Sequence, residues 1–123
     1  MLDLNDFTEI NNIVFGGAGF LGSHLIDKLL YNGENVLCID NLSSGNLDNL
    51  IHLKQNKKFL FVKHDILEPL TSKITIEKIW HLACPASPNI YQSDPIRTIR
   101  VNYEGTYNIL KLARIHNSKI LFT

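Results

Sequence analysis

The chain has 123 residues, 45% of them hydrophobic and 20% charged, with 12 Lys plus Arg balancing 12 Asp plus Glu. That composition fits one globular domain with a real core and argues against intrinsic disorder. Zero formal charge gives no basic excess for nucleic acid or an anionic membrane, and no apolar run approaches the ~20 residues of a membrane span.

Residues 1–11 read as a polar lead-in with room for one helical turn; residues 12–123 read as the domain. The lead-in carries Asp3, Asp6 and Glu9 but no Lys or Arg. It lacks the basic and apolar regions of a signal peptide, so the cytoplasm is the expected location. Asn12 to Phe15 is a short apolar strand of the kind buried on both faces. Phe20 to Tyr31 repeats its apolar residues near the 3.6 period and stops at Asn32-Gly33, which predicts a helix. Val36 to Ile39 is the second strand, ending at Asp40. Asn41 to Asn46 is turn-rich, and Leu47 to Leu53 predicts a short helix. Phe59 to Val62 is the third strand. A short helix is expected over Leu67 to Lys73, with Pro69 in its first turn. Lys78 to Ala83 is the fourth strand, and Cys84 to Asp94 a proline-set loop. Pro95 to His116 predicts a long helix with Asp94 as N-cap and Pro95 at the first position. Ile99, Tyr103, Ile109, Leu112, Ala113 and Ile115 are its expected buried side, and Gly105 suggests close packing. Lys119 to Phe122 is the fifth strand. This alternation predicts an α/β, Rossmann-type doubly wound parallel sheet of five strands in the order 3-2-1-4-5.

The chemistry centres on Gly16, Gly17, Gly19 and Gly22. They fit both G-x-G-x-x-G and G-x-x-G-x-x-G, between a predicted strand and a predicted helix. Glycine permits a sharp turn and close backbone approach to a pyrophosphate, and the helix start offers free N–H groups. Asp40 follows 18 residues after Gly22, at a strand end where a carboxylate accepts ribose hydroxyls. A 2′-phosphate would meet that charge with no Lys or Arg nearby to offset it, so the expected cofactor is NAD rather than NADP. Asp65 fits either a group that holds an adenine amino group together with the Ile66 backbone or a turn-initiating Asp. Leu82, Ala83 and Cys84 end the fourth strand beside the switch point, where small side chains leave room for a cofactor ring. Cys38 reads as a buried structural thiol, and the two cysteines match no metal spacing. The five histidines form no ligand set. Arg97 and Arg100 fit either an exposed helix face or an anion site.

Several motifs taken together resemble a family. Gly16-Gly17-Ala18-Gly19-Phe20-Leu21-Gly22-Ser23-His24-Leu25, Asp40-Asn41, His64-Asp65, His81-Leu82-Ala83 and Asn102-x-x-Gly105-Thr106 are similar to the extended short-chain dehydrogenase/reductases that act on nucleotide sugars. His81 to Pro88, with Tyr91 and Asp94-Pro95-Ile96-Arg97-Thr98, resembles the UDP-glucuronate decarboxylases (UDP-xylose synthases) among them. The resemblance implies that Gly19, Phe20 and Leu21 contact the NAD phosphates. It implies that Asp40, Asn41, Ser43 and Ser44 hold the adenosine ribose, and that Asp65, Ile66, Leu82 and Cys84 line the rest of the groove. Arg100 and Asn108 match positions that contact the UDP-sugar, and Pro85, Ala86, Ser87 and Tyr91 would border the sugar. The implied reaction converts UDP-glucuronate to UDP-xylose and CO₂ by oxidation at C4, decarboxylation and re-reduction.

Departures accompany the likeness. Phe15 stands where the family commonly has Thr, and Asn46 where a basic residue is frequent. The family's catalytic Tyr-x-x-x-Lys belongs on the helix after the fifth strand, so the expectation is a chain truncated before the catalytic helix and the substrate domain. Tyr107-x-x-x-Lys111 lies on the helix before that strand and reads as a packing Tyr and a surface Lys. No catalytic residue and no metal ligand is therefore expected here. The leading reading is the NAD-binding portion of such a decarboxylase, inactive alone and able to form a homodimer through residues 95–116. The alternatives are another NAD-dependent nucleotide-sugar epimerase or dehydratase, or a non-catalytic NAD-binding module.

Overall fold

The computed structural model describes residues 7–123, so most of the polar lead-in falls outside the described residues. Five parallel strands form one sheet in the order β3-β2-β1-β4-β5: β1 (Ile10–Phe15), β2 (Val36–Asp40), β3 (Phe59–Lys63), β4 (Ile76–His81) and β5 (Lys119–Phe122). The predicted strand order stands. Helix α1 (Phe20–Tyr31) and a 3₁₀ helix (Leu47–Leu53) cover one face. A six-residue helix, α2 (Pro88–Ser93), leads to the covering of the other. That covering is a long helical run: α3 (Pro95–Arg100), a π segment (Val101–Gly105) and α4 (Thr106–His116).

The two-residue period of a strand divides the core. Ile13, Phe15, Leu37, Ile39 and Ile79 point toward the long helix and meet Ile109 and Leu112. Val14, Val36 and Cys38 point the other way, onto Ile26, Leu29 and Leu50. β1 and β2 are hydrophobic on both faces because both faces are covered.

The departures from the sequence reading have local causes. β1 begins two residues early, at Ile10, because Asn11 and Asn35 exchange side-chain-to-backbone hydrogen bonds of 2.8 and 3.0 Å that carry the polar position into the sheet. The lead-in is also not wholly polar in role, since Phe7 is buried in the core. No helix forms over Leu67 to Lys73. Asp65 caps a turn through the Leu67 and Glu68 N–H groups, and the Asn108 amide takes the Ile66 and Leu67 carbonyls that a helix would need. β4 runs Ile76–His81 rather than 78–83. Leu82 still donates to the Phe15 carbonyl, but the Leu82–Ala83 backbone then packs tightly against Gly16 instead of extending the ladder. The loop 84–94 contains α2, with Ser87 at the N-cap position and Pro88 at N1.

The long helix has its predicted ends but not its predicted buried side. Ile109, Leu112 and Ala113 are buried, whereas Ile99, Tyr103 and Ile115 are 68%, 73% and 71% exposed. The π segment explains the shift. Its wider turn lines up Val101, Gly105 and Ile109 at four-residue spacing against the sheet and leaves Ile99 and Tyr103 outside. Gly105 is the required close approach, since a Cβ there would stand 2.5 Å from Ile66 Cδ1. Tyr107 is 56% exposed, with Lys111 over its ring at 5.7 Å, so it is a surface pair and not a packing Tyr.

Candidate functional site

The strand order reverses between β1 and β4, so the helices flanking them leave on opposite faces and a crevice opens at their carboxyl ends. Four glycines build the turn beneath it, for different reasons. Gly16 has φ +80°, and a Cβ on it would meet the Leu82 and Ala83 backbone at 2.9 Å. A Cβ on Gly17 would strike Cys38 Sγ at 2.4 Å and Ile26 Cδ1 at 2.7 Å. At Gly22 it would strike the Gly16 carbonyl at 2.3 Å. These three are glycine because the protein packs against itself. Gly19 differs: its backbone is extended, and an added Cβ would meet only the Gly16 carbonyl, at an ordinary 3.4 Å. The space above Gly19 opens on the cleft.

Gly19 is also the N-cap of α1, with no side-chain cap. Ser23 N–H makes the first backbone bond of the helix, to the Gly19 carbonyl at 3.0 Å. The N–H groups of Phe20, Leu21 and Gly22 precede it and have no place in the helical ladder. They and the helix dipole suit an anion. Phe20 and Leu21 stand 79% and 65% exposed beside them.

Asp40 joins this loop to the end of β2. One carboxylate oxygen accepts the Ala18 N–H at 2.9 Å and the other the Leu42 N–H at 2.8 Å. Gly45 folds back over it, where a Cβ would stand about 3 Å from both oxygens and from Ala18. Asp40 therefore staples the glycine loop, a role its position alone did not reveal, and each oxygen keeps a lone pair for a hydroxyl. Asn41, Ser43, Ser44 and Gly45 continue the wall.

The opposite wall comes from Leu82, Ala83, Cys84 and Pro85 after β4 and from Ile90, Ser93, Asp94, Arg97, Thr98 and Val101 on the helices that follow. The cleft between these walls is open to solvent and has a volume of about 400 Å³. Asp94 caps α3 by accepting the Arg97 N–H at 3.0 Å.

Of the residues singled out in the sequence, Gly16, Gly19, Phe20, Leu21, Gly22, Asp40, Asn41, Ser43, Ser44, Leu82, Cys84 and Pro85 converge on this cleft. Others do not line it. Gly17 is turned into the core. Asp65 is taken up by Arg97, Asn41 and the Leu67 N–H, and Ile66 is buried under Gly105. Ala86, Ser87 and Tyr91 stand outside the lining. Arg100 pairs with Glu104 one turn along its helix, at 2.9 and 3.0 Å, which holds its guanidinium on the surface. Asn108 is spent on the Ile66 and Leu67 carbonyls at 2.9 and 3.2 Å. Ile90, Ser93, Thr98 and Val101 were missed. They reach the cleft because α2 and the start of α3 fold over it, and the Ser87-Pro88 cap pair was the available signal.

The buried thiol of Cys38 has its pKa raised by desolvation and by the Asp40 charge, so it is inert. His81 is buried between Phe15 and Phe122 and bonds Thr106 Oγ1 at 2.9 Å through Nε2; burial lowers its pKa to about 4 and keeps it neutral. Among the described residues no three His, Cys, Asp or Glu side chains cluster as metal ligands, and no helix is long and apolar enough to cross a membrane.

A glycine turn leading into a helix at the switch point of a 3-2-1-4-5 parallel sheet, with an acidic residue ending β2, defines a Rossmann-type nucleotide-binding fold. The sequence profile of the GDP-mannose 4,6 dehydratase family matches residues 13–123, and the chain belongs to that family of nucleotide-sugar enzymes. It is 46% identical to UDP-glucuronic acid decarboxylase 1 of Arabidopsis thaliana over 90% of its own length and 25% of the relative's. Among solved structures it is similar to the UDP-glucose 4-epimerase of Thermotoga maritima, with UDP-glucose: 35% identity, TM-score 0.77, 89% of this chain and 35% of the other. The UDP-glucose 4-epimerase of Thermus thermophilus, a complex with NAD, is 28% identical at TM-score 0.74, over 92% of this chain and 37% of the other. The chain spans about a quarter to a third of the length of the curated relatives it matches.

Proposed function

We propose that this chain is the NAD-binding part of a UDP-glucuronate decarboxylase. The observation that carries the cofactor is Gly19: it lacks a Cβ where the protein has no packing need for the gap, directly beside the free N–H groups of α1. The diphosphate would lie over Gly19, Phe20 and Leu21, and the adenosine ribose hydroxyls would bond Asp40, backed by Asn41, Ser43 and Ser44. Asp40 would repel a 2′-phosphate. Leu82, Ala83 and Cys84 leave room for the nicotinamide end. When bound, NAD would supply hydride acceptance and return at C4 of the sugar.

The choice of decarboxylation over epimerisation or dehydration is supported by the His81-Leu82-Ala83-Cys84-Pro85-Ala86-Ser87-Pro88 stretch and by the similarity to plant decarboxylases. That stretch turns at Pro85 into α2, so Pro85 would border the sugar, with Ala86, Ser87 and Tyr91 just behind it. Arg100 would have to release Glu104, and Asn108 its two carbonyls, before either could reach a UDP-sugar. Turnover would need a Tyr-x-x-x-Lys placed after β5, so the role proposed for residues 12–123 is to bind NAD. The exposed stripe on the long helix is the proposed dimer surface, and the cytoplasm the proposed location.

A chimera tests the substrate. This chain replaces the matching part of Arabidopsis UDP-glucuronic acid decarboxylase 5 and is supplied with NAD and UDP-glucuronate. Release of CO₂ with UDP-xylose is expected. A folded, NAD-binding chimera that leaves UDP-glucuronate intact would overturn the decarboxylase reading.

A further inference from the structure

Arg97 is the one cation among the described residues that line the cleft. Its backbone is fixed, because Asp94 caps its N–H and Pro95 begins its helix. Its side chain rests on Oδ2 of Asp65, at the end of β3. Asp65 has little capacity left: Oδ1 accepts the Leu67 N–H at 3.0 Å, and Oδ2 also accepts Asn41 Nδ2 at 3.3 Å. Burial works to raise the Asp65 pKa, but the Leu67 N–H, Arg97 and Asn41 together hold it below the ordinary carboxylate value.

This pairing is at odds with both partners' surroundings. A carboxylate meant for an adenine amino group is covered by a guanidinium. A cleft floored by an anion-binding helix start has its single cation turned to one side. The pair is only half-buried, with the Arg97 side chain 44% and the Asp65 side chain 27% exposed, so little net stability is lost when it opens. The planar fork of a guanidinium fits a phosphate as well as it fits a carboxylate.

We propose that Arg97 is a diphosphate-binding residue that exchanges anions: it pairs with Asp65 until a nucleoside diphosphate lodges at Gly19–Leu21, then moves to the phosphates and frees Asp65 for the adenine amino group. The inference rests on the dinucleotide reading above. It makes phosphate binding and base recognition one coupled event.

Calorimetric titrations of the chain with adenosine, ADP and NAD, at low and high salt, test it, with thermal unfolding as the check on folding. In Arg97→Gln, ADP and NAD affinity should fall about tenfold or more, adenosine affinity should hold or rise, and ADP binding should lose part of its salt dependence. Arg97→Lys should recover part of the ADP affinity. Asp65→Asn should weaken adenosine while leaving ADP's phosphate contribution intact. Equal weakening of all three ligands in Arg97→Gln would mark a merely structural wall and overturn the proposal, as would unchanged ADP affinity. An unmodified chain that binds none of the three would overturn the dinucleotide reading itself.

Discussion

The β1–β2–β3 half and the β4–β5 half of the sheet have the same strand geometry but opposite surfaces. Every residue of β2 is buried, and the α1 and 3₁₀ covering is complete around Val14, Cys38 and Ile26. In the other half every residue of β5 is exposed, including Phe122 at 60%, and Ile96, Ile99, Tyr103, Tyr107 and Leu110 line the outer side of the long helix. The first half buries its central strands, and its exposed apolar side chains sit on the helices at Phe20, Leu21, Tyr31, Leu47 and Ile51. The second presents apolar surface of the kind that marks contact with further protein. The cleft lies on the seam, with its glycine-loop wall built by the first half and its Leu82–Pro85 wall by the second.

The largest expected effect breaks the first half. Gly22→Ala forces a Cβ onto backbone at 2.3 and 2.7 Å and should lower stability by about 3 kcal/mol or more in denaturant titrations. Next is the seam at His81. Its folded pKa of about 4 lies below its ordinary 6.5, so the unfolded chain binds the extra proton between those values. Stability should therefore fall by about 3 kcal/mol as pH drops from 6.5 to 4, and His81→Gln should flatten that limb. Asp65 and Glu34, whose pKa values are lowered, add their own loss as pH falls below their ordinary 3.8 and 4.5, so Glu34 begins to contribute at the acid end of the His81 limb. Gly105→Ala should cost about 1–2 kcal/mol, since the Cβ meets the flexible end of Ile66 rather than backbone. The smallest stability effect belongs to the second half. Ile99→Glu with Tyr103→Glu should change stability by no more than about 0.5 kcal/mol yet reduce self-association in sedimentation. A large loss of stability there would mean that the stripe is not free surface.

The same division decides what was legible in the sequence. Where a strand is buried on both faces or a glycine is forced by packing, one residue type fits and the pattern shows it: strand order, α1 and the glycine turn read directly, whereas the stapling of the loop by Asp40 did not. The long helix misled because the contact face at its π segment runs through Val101 and Gly105 rather than Ile99 and Tyr103, and nothing in Val101 to Gly105 except Gly105 marks that. The Leu67 helix failed because its carbonyls go to Asn108, 41 and 42 positions away, a partnership no local propensity contains. Arg100 and Asn108 matched family positions, but their side chains are held by Glu104 and by backbone carbonyls, which position alone cannot reveal.

The proposed dinucleotide site turns on Gly19, whose missing Cβ would serve the ligand and not the fold. Equilibrium titration of the chain and of Gly19→Ala with NAD tests it most directly, with unfolding followed in parallel. Saturable one-to-one binding by the unmodified chain is expected, weakened at least about tenfold in Gly19→Ala, with stability changed by no more than about 1 kcal/mol. Equal NAD affinity in the two, or a Gly19→Ala chain that unfolds as readily as Gly22→Ala, would contradict it.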